Sequence, residues 1–139
     1  MVHCSADAGG CTLTSEVLEA EHRRRGFRTT GYHYYIRRDG TVLGTRSLEL
    51  PGAHCRGHNK YSIGICYEGG LDARGNPKDT RTPEQRSALH LLVYQLLQQF
   101  RNARVCGHRD LSPDLDGDGT VEPWEWVKQC PCFEVSKEF

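Results

Sequence analysis

Seven histidines and seven cysteines in 139 residues are the side chains best suited to chemistry in this chain, because imidazole nitrogen and thiolate sulfur are the ligands zinc prefers. Three such ligands leave a fourth coordination position for water. Zinc lowers the pKa of that water to about 7, which makes a nucleophile for hydrolysis at neutral pH. Local context brings three residues forward. His3 lies on a β-rich run from Val2 to Ser5, His108 follows a short run in Cys106-Gly107-His108-Arg109-Asp110, and Cys130 sits in Lys128-Gln129-Cys130-Pro131-Cys132-Phe133. Spacing alone selects none of them. The residues are scattered, no helical pair of the form His-Glu-x-x-His is present, and structural histidines with buried thiols explain the same composition equally well.

A second set of chemistry-bearing residues is contiguous. Asp114-Leu115-Asp116-Gly117-Asp118-Gly119, with Glu125 after five further residues, meets every specified position of the calcium-loop pattern D-x-[DN]-x-[DN]-G-x₅-E. Alternating carboxylates supply hard oxygen ligands, Gly119 permits the sharp turn, Thr120 offers its carbonyl and Glu125 can bind through both oxygens. Pro113 directly before the loop argues against an entering helix, so a complete EF-hand is not expected. The alternatives are a calcium site and a solvated acidic turn. The loop also explains a charge asymmetry: residues 1–109 carry 16 Lys and Arg against 10 Asp and Glu, whereas residues 110–139 carry 2 against 8.

The elements that must position these residues follow from periodicity. Val2 to Ser5 reads as a strand with His3 and Ser5 on one face and Cys4 on the other. Leu13 to Arg25 is helical in composition and is closed by Gly26. Tyr32 to Arg38 and Thr41 to Arg46 flank Asp39-Gly40, a two-residue hairpin signal. Ser62 to Glu68 is a further strand, with Glu68 as its solvated end, and Gly69 to Thr82 is a polar loop. The clearest pattern runs from Pro83 to about Asn102, where Leu89, Leu92, Val93, Leu96, Leu97 and Phe100 recur at helical spacing. Arg104 to Cys106 reads as a short strand and Pro123 to Gln129 as a last helical stretch. These elements predict one mixed α/β domain over residues 1–139.

Composition bounds the function classes. With 37% hydrophobic and 26% charged residues the chain is neither disordered nor membranous. It has no apolar run near 20 residues and no basic-then-apolar N-terminal pattern, which predicts cytoplasmic synthesis and no membrane insertion. Basic residues are scattered, so nucleic acid is not an expected partner. An odd number of cysteines without a leader favours reduced thiols.

Val2-His3-Cys4-Ser5-Ala6, Gly31-Tyr32-His33-Tyr34-Tyr35-Ile36, Asp39-Gly40-Thr41-Val42, Pro51-Gly52-Ala53-His54, Gly57-His58-Asn59, Ser62-Ile63-Gly64-Ile65-Cys66 and Lys128-Gln129-Cys130-Pro131 occur in that order. Together they resemble the zinc-dependent N-acetylmuramoyl-L-alanine amidases, the family of amidase-type phage lysozymes and animal peptidoglycan recognition proteins. The resemblance implies a central mixed β-sheet flanked by helices, with a peptidoglycan groove and the metal at its floor. It implies hydrolysis of the amide between N-acetylmuramic acid and L-alanine by a monomer acting on the bacterial cell wall, as an endolysin or autolysin does. Carried over residue by residue, it places the zinc ligands on His3, His108 and Cys130, the catalytic Tyr on Tyr32, the catalytic Lys on Lys128, and muramyl-peptide contacts on His54 and Asn59. Cys132 is the rival of Cys130, and Glu68 a rival base that aligns with no catalytic position. Against the phage enzymes, residues 110–125 with Asp114, Asp116, Asp118, Thr120 and Glu125 look like an insertion, and calcium there is expected to order the segment carrying Lys128 and Cys130. The competing reading is a peptidoglycan-binding module without activity.

Overall fold

Four short strands make the sheet on which the candidate ligands are mounted. In the computed structural model, which describes residues 1–8, 17, 20, 24 and 30–139, they are β1 (Val2–Cys4), β2 (Tyr34–Ile36), β3 (Val42–Gly44) and β4 (Ile65–Tyr67). Their order is β1-β4-β2-β3, with β4 parallel to both neighbours and β2 antiparallel to β3. The expected hairpin at Asp39-Gly40 joins β2 to β3. Gly40 adopts φ 83°, and Asp39 Oδ1 accepts from the Thr41 N–H at 2.9 Å. β2 is shorter than the β-rich run that contains it. The Gly64 carbonyl accepts from both His33 and Tyr34, and the His33 carbonyl accepts from Thr45 and Arg46, so regular pairing starts only at Tyr34.

The helix expected over Leu13 to Arg25 falls almost entirely outside the described residues; Val17, Ala20 and Arg24 are helical. The strong amphipathic run forms α1 (Pro83–Gln99). Its start is fixed by a reciprocal cap. Thr82 Oγ1 accepts from the Gln85 N–H and Gln85 Oε1 accepts from the Thr82 N–H, both at 3.1 Å, while Pro83 has no N–H to satisfy. The helix ends at Gln99, short of Asn102, because Phe100 leaves helical geometry at φ −120°, ψ 73°.

Leu89, Leu92 and Val93 of α1 pack with Val2, Cys4, Ile36, Ile65 and Tyr67 from one face of the sheet and with Phe133 and Val135 from the C-terminal segment. Each such buried side chain contributes about 1.5–3 kcal/mol. Buried Gln85 pins the helix start to the strand ends by donating from Nε2 to the carbonyls of Ile36 and Glu68, at 3.2 and 2.9 Å. Strand side chains alternate, so the residues between these core positions face away from α1. In register across the sheet those residues are His3, Cys66 and Tyr35.

Three expectations change. Arg104 to Cys106 is not a strand: the chain makes one parallel bridge, Val2 to Gly107, flanked by Val2 N–H to Cys106 O at 2.8 Å and His108 N–H to Val2 O at 3.1 Å. Pro123 to Gln129 is not a helix but a turn at Pro123 to Glu125. Seven residues cannot nucleate a helix unaided, and here Glu125 is held elsewhere, accepting from the Leu115 N–H at 2.5 Å and the Glu122 N–H at 2.9 Å. Glu68 is not a solvated strand end. It is fully buried, and its Oε2 accepts from the Arg38 N–H at 3.3 Å.

Candidate metal centre

His3, His108 and Cys130 converge at the end of the sheet, although 127 residues separate the first from the last. β1 aims His3 away from the core, and the Val2 to Gly107 bridge brings His108 alongside at a ring separation of 4.6 Å. Gly107 is required there, since an added Cβ would lie 2.7 Å from Pro131. Cys130 is fixed by three bonds. Arg109 N–H donates to its carbonyl at 2.8 Å, Cys4 N–H donates to its sulfur at 3.2 Å, and Tyr67 Oη donates to the next carbonyl, Pro131 O, at 2.6 Å.

The donor set fits zinc. The three ligand atoms lie within 4.8 Å of one another, and His3 Nδ1 is 3.8 Å from Cys130 Sγ. A tetrahedral N/S edge at ordinary zinc bond lengths is about 3.6 Å. Burial, with the nearby charges of His54, His108 and Lys128, holds the His3 imidazole well below its usual pKa; burial and Lys128 lower His108. Both are therefore neutral at pH 7, the state a metal needs. Cys132 faces elsewhere. Its backbone turns through φ 70°, and its sulfur donates to Gly70 O at 3.3 Å and lies 3.9 Å from Cys4 Sγ.

The Tyr32 ring lies 5.1 Å from that of His3, and burial pushes its hydroxyl well above the usual value, leaving it a hydrogen-bond donor. Lys128 is exposed beside the ligands and lines a groove of about 190 Å³ with Cys55, Arg56, His108, Leu111, Ser112, Pro113 and Val127. A larger cavity of about 770 Å³ is lined by none of the three ligands, so size does not choose the site. His54 also reaches His3, whereas Asn59 holds the backbone beside it. His54 Nδ1 is 3.0 Å from His3 Nε2, and Asn59 Oδ1 accepts from the N–H groups of His54 and Cys55, each at 2.8 Å. His33 is buried; its Nδ1 accepts from Gly64 N–H and its Nε2 donates to Leu50 O, both at 3.0 Å.

The acidic loop forms two overlapping carboxylate groups, Asp114 with Asp116 and Asp118, and Asp116 with Glu122 and Glu125. Asp114 accepts from the N–H groups of Gly117 and Gly119, at 2.6 and 2.8 Å, which holds its carboxyl below the usual value. Glu122 is a residue the pattern did not single out, because it occupies an unspecified motif position and only the turn at Pro123 swings it toward Glu125. Burial and its hydrogen bond with Glu125 raise the Glu122 carboxyl. Burial opposes ionisation of Glu125 too, but the backbone N–H groups of Glu122 and Leu115 outweigh it and lower that carboxyl. No α-helix flanks the loop among the described residues; a short 3-10 helix, Arg109–Leu111, precedes it.

Two imidazoles and a thiol brought together beside a mixed sheet could hold a metal ion, the donor set of a metallohydrolase. Comparison with known proteins sharpens the class: residues 1–131 match the family model described as N-acetylmuramoyl-L-alanine amidase, and the chain belongs to that family. It is 35% identical over 136 residues to the endolysin of Enterobacteria phage K11, covering 98% of this chain and 81% of that protein. The N-acetylmuramoyl-L-alanine amidase LysC from Clostridium intestinale superposes with a TM-score of 0.74 at 26% identity, covering 99% of this chain and 77% of LysC. PGRP-SA of Apis mellifera shares the fold, with a TM-score of 0.71 at 21% identity over 99% of this chain and 77% of its own.

Proposed function

We propose that the chain is a zinc hydrolase that cleaves the amide between N-acetylmuramic acid and L-alanine in bacterial peptidoglycan, with His3, His108 and Cys130 as the zinc ligands. The observation that carries this reading is the convergence of those three side chains, and not of Cys132, on one site in a member of this family. When bound there, zinc supplies an acidified water and polarises the carbonyl oxygen.

The chain's own residues do the rest. His3 and His108 present neutral nitrogens, and the Cys4 N–H offsets charge on the Cys130 sulfur. Tyr32 donates a hydrogen bond to an oxygen of the tetrahedral intermediate, and Lys128 stabilises the negative charge that develops on the carbonyl oxygen. The Gly52 to Tyr61 loop walls one side of the muramyl-peptide groove, with His54 turned inward to His3 and Asn59 holding the loop's own backbone. No helix among the described residues is long and apolar enough to cross a membrane. The chain is made in the cytoplasm and acts on the bacterial cell wall.

The test is to incubate purified peptidoglycan with wild type, Cys130→Ser and Cys132→Ser, and to follow free L-alanyl peptides by mass spectrometry. Wild type and Cys132→Ser release them and Cys130→Ser does not. Release by none of the three leaves a peptidoglycan-binding module. The carboxylates of Asp114, Asp116, Asp118 and Glu125, with the Thr120 carbonyl, bind calcium in this reading and order the Lys128 and Cys130 segment. Isothermal titration of calcium into the zinc-loaded protein checks it, and absence of heat removes calcium from the account.

A further inference from the structure

His3 offers its two ring nitrogens in different directions. Nδ1 faces Cys130 Sγ at 3.8 Å, and Nε2 faces His54 Nδ1 at 3.0 Å. From His54 the contacts continue outward: His54 Nε2 is 3.4 Å from Ser62 Oγ, and Ser62 Oγ donates to the carbonyl of His58 at 2.7 Å.

The donor sense of this row is forced from its outer end. A backbone carbonyl has no proton to give, so Ser62 directs its single hydroxyl proton at His58. Its oxygen then faces His54 only as an acceptor, which puts the proton of the neutral His54 ring on Nε2. The bare Nδ1 of His54 must in turn accept from His3 Nε2–H. One proton per neutral ring leaves His3 Nδ1 with a free lone pair, aimed at the position a metal shares with Cys130.

Each member of the row is held where it stands. Asn59 Oδ1 gathers the N–H groups of His54 and Cys55. The His54 ring lies between two glycines, and an added Cβ would come within 2.4 Å of it at Gly52 and 2.5 Å at Gly64. The rings of His3 and His54 meet edge to face, with centroids 4.9 Å apart. Both His54 nitrogens are engaged, which leaves neither for a substrate.

We propose that the row from the His58 carbonyl through Ser62 and His54 sets the tautomer of His3, so that His3 is a preformed Nδ1 ligand before any metal arrives. His54 and Ser62 are then positioning residues that act through His3. The proposal rests on the reading of His3 as a zinc ligand, and outer partners of this kind are worth about 10–100-fold in metal affinity.

Two measurements test it. Long-range ¹H–¹⁵N spectra of the zinc-free protein show the His3 proton on Nε2 in wild type, and a mixture of tautomers in His54→Ala and Ser62→Ala. Competition with a chromophoric chelator shows zinc affinity weakened about 10–100-fold in His54→Ala and largely restored in His54→Asn, whose Oδ1 accepts in the place of the His54 Nδ1. Ser62→Ala, at the half-buried outer end, carries the test if His54→Ala does not fold. A wild-type His3 proton on Nδ1, or unchanged zinc affinity in a folded His54→Ala, overturns the proposal. Failure of wild type itself to bind zinc removes the metal reading instead, and the tautomer measurement still decides the row.

Discussion

Tyr32 shows how much a single hydroxyl can be asked to do. Its ring stands beside His3, and burial keeps it protonated, so it acts by donating and not by taking a proton. Loss of one well-placed donor to a developing oxyanion costs roughly 100-fold or more in turnover. Tyr32→Phe therefore lowers kcat about 100-fold with KM nearly unchanged, read from initial rates of peptide release. At this scale the sequence was informative only in part. Nothing in the local spacing separates Cys130 from Cys132; the ordered family motifs do, and the structure supplies the cause, a left-handed backbone at Cys132 that turns its sulfur to Gly70. His54 was legible as a residue of the site but not in its direction of action. That depends on Ser62 and His58, whose relation to His3 exists only after folding.

Between elements, the decisive joint is buried Arg81. Its guanidinium donates to Asp79 and Glu138 and lies over the Phe133 ring, so it ties the approach to α1 to the segment that follows Cys130. Arg81→Met leaves two carboxylates short of a partner and costs about 3 kcal/mol in urea unfolding. The Glu138 carboxyl is held below its usual value by Arg81; for Asp79, burial opposes ionisation but Arg81 outweighs it and the net shift is also down. With folded values below unfolded ones, their stabilisation is complete above the unfolded values, roughly pH 4, and fades as pH falls through the folded ones. Glu138→Gln lacks one such group, so its thermal midpoint declines less steeply than that of wild type between about pH 5 and pH 3. A smaller effect belongs to the helix start: Thr82→Ala costs about 1 kcal/mol. α1 was legible because its apolar period begins at Pro83, a residue suited to the first helical position, whereas the Thr82–Gln85 cap shows only in the structure. The Pro123 to Gln129 stretch misled because its composition is helical while Glu125 is committed to the backbone of Leu115 across the loop.

For the whole molecule, the metal should behave as a structural member as well as a reagent. At free zinc about 100 times the dissociation constant, binding to the folded state adds about 2.7 kcal/mol. Stripping the metal with a chelator therefore lowers the thermal midpoint by roughly 10 °C, and Cys130→Ser sits at the stripped value with or without zinc; calorimetry decides it. The mixed sheet and single long described helix were legible as α/β organisation. The closure of the site was not, because it depends on one bridge between Val2 and Gly107 that no sequence period announces. That closure bears on the timing of activity during synthesis. His3 is synthesised 127 residues before its partner Cys130. A nascent chain therefore lacks the full set of candidate ligands until the Cys130 segment has been made, however early His3 emerges.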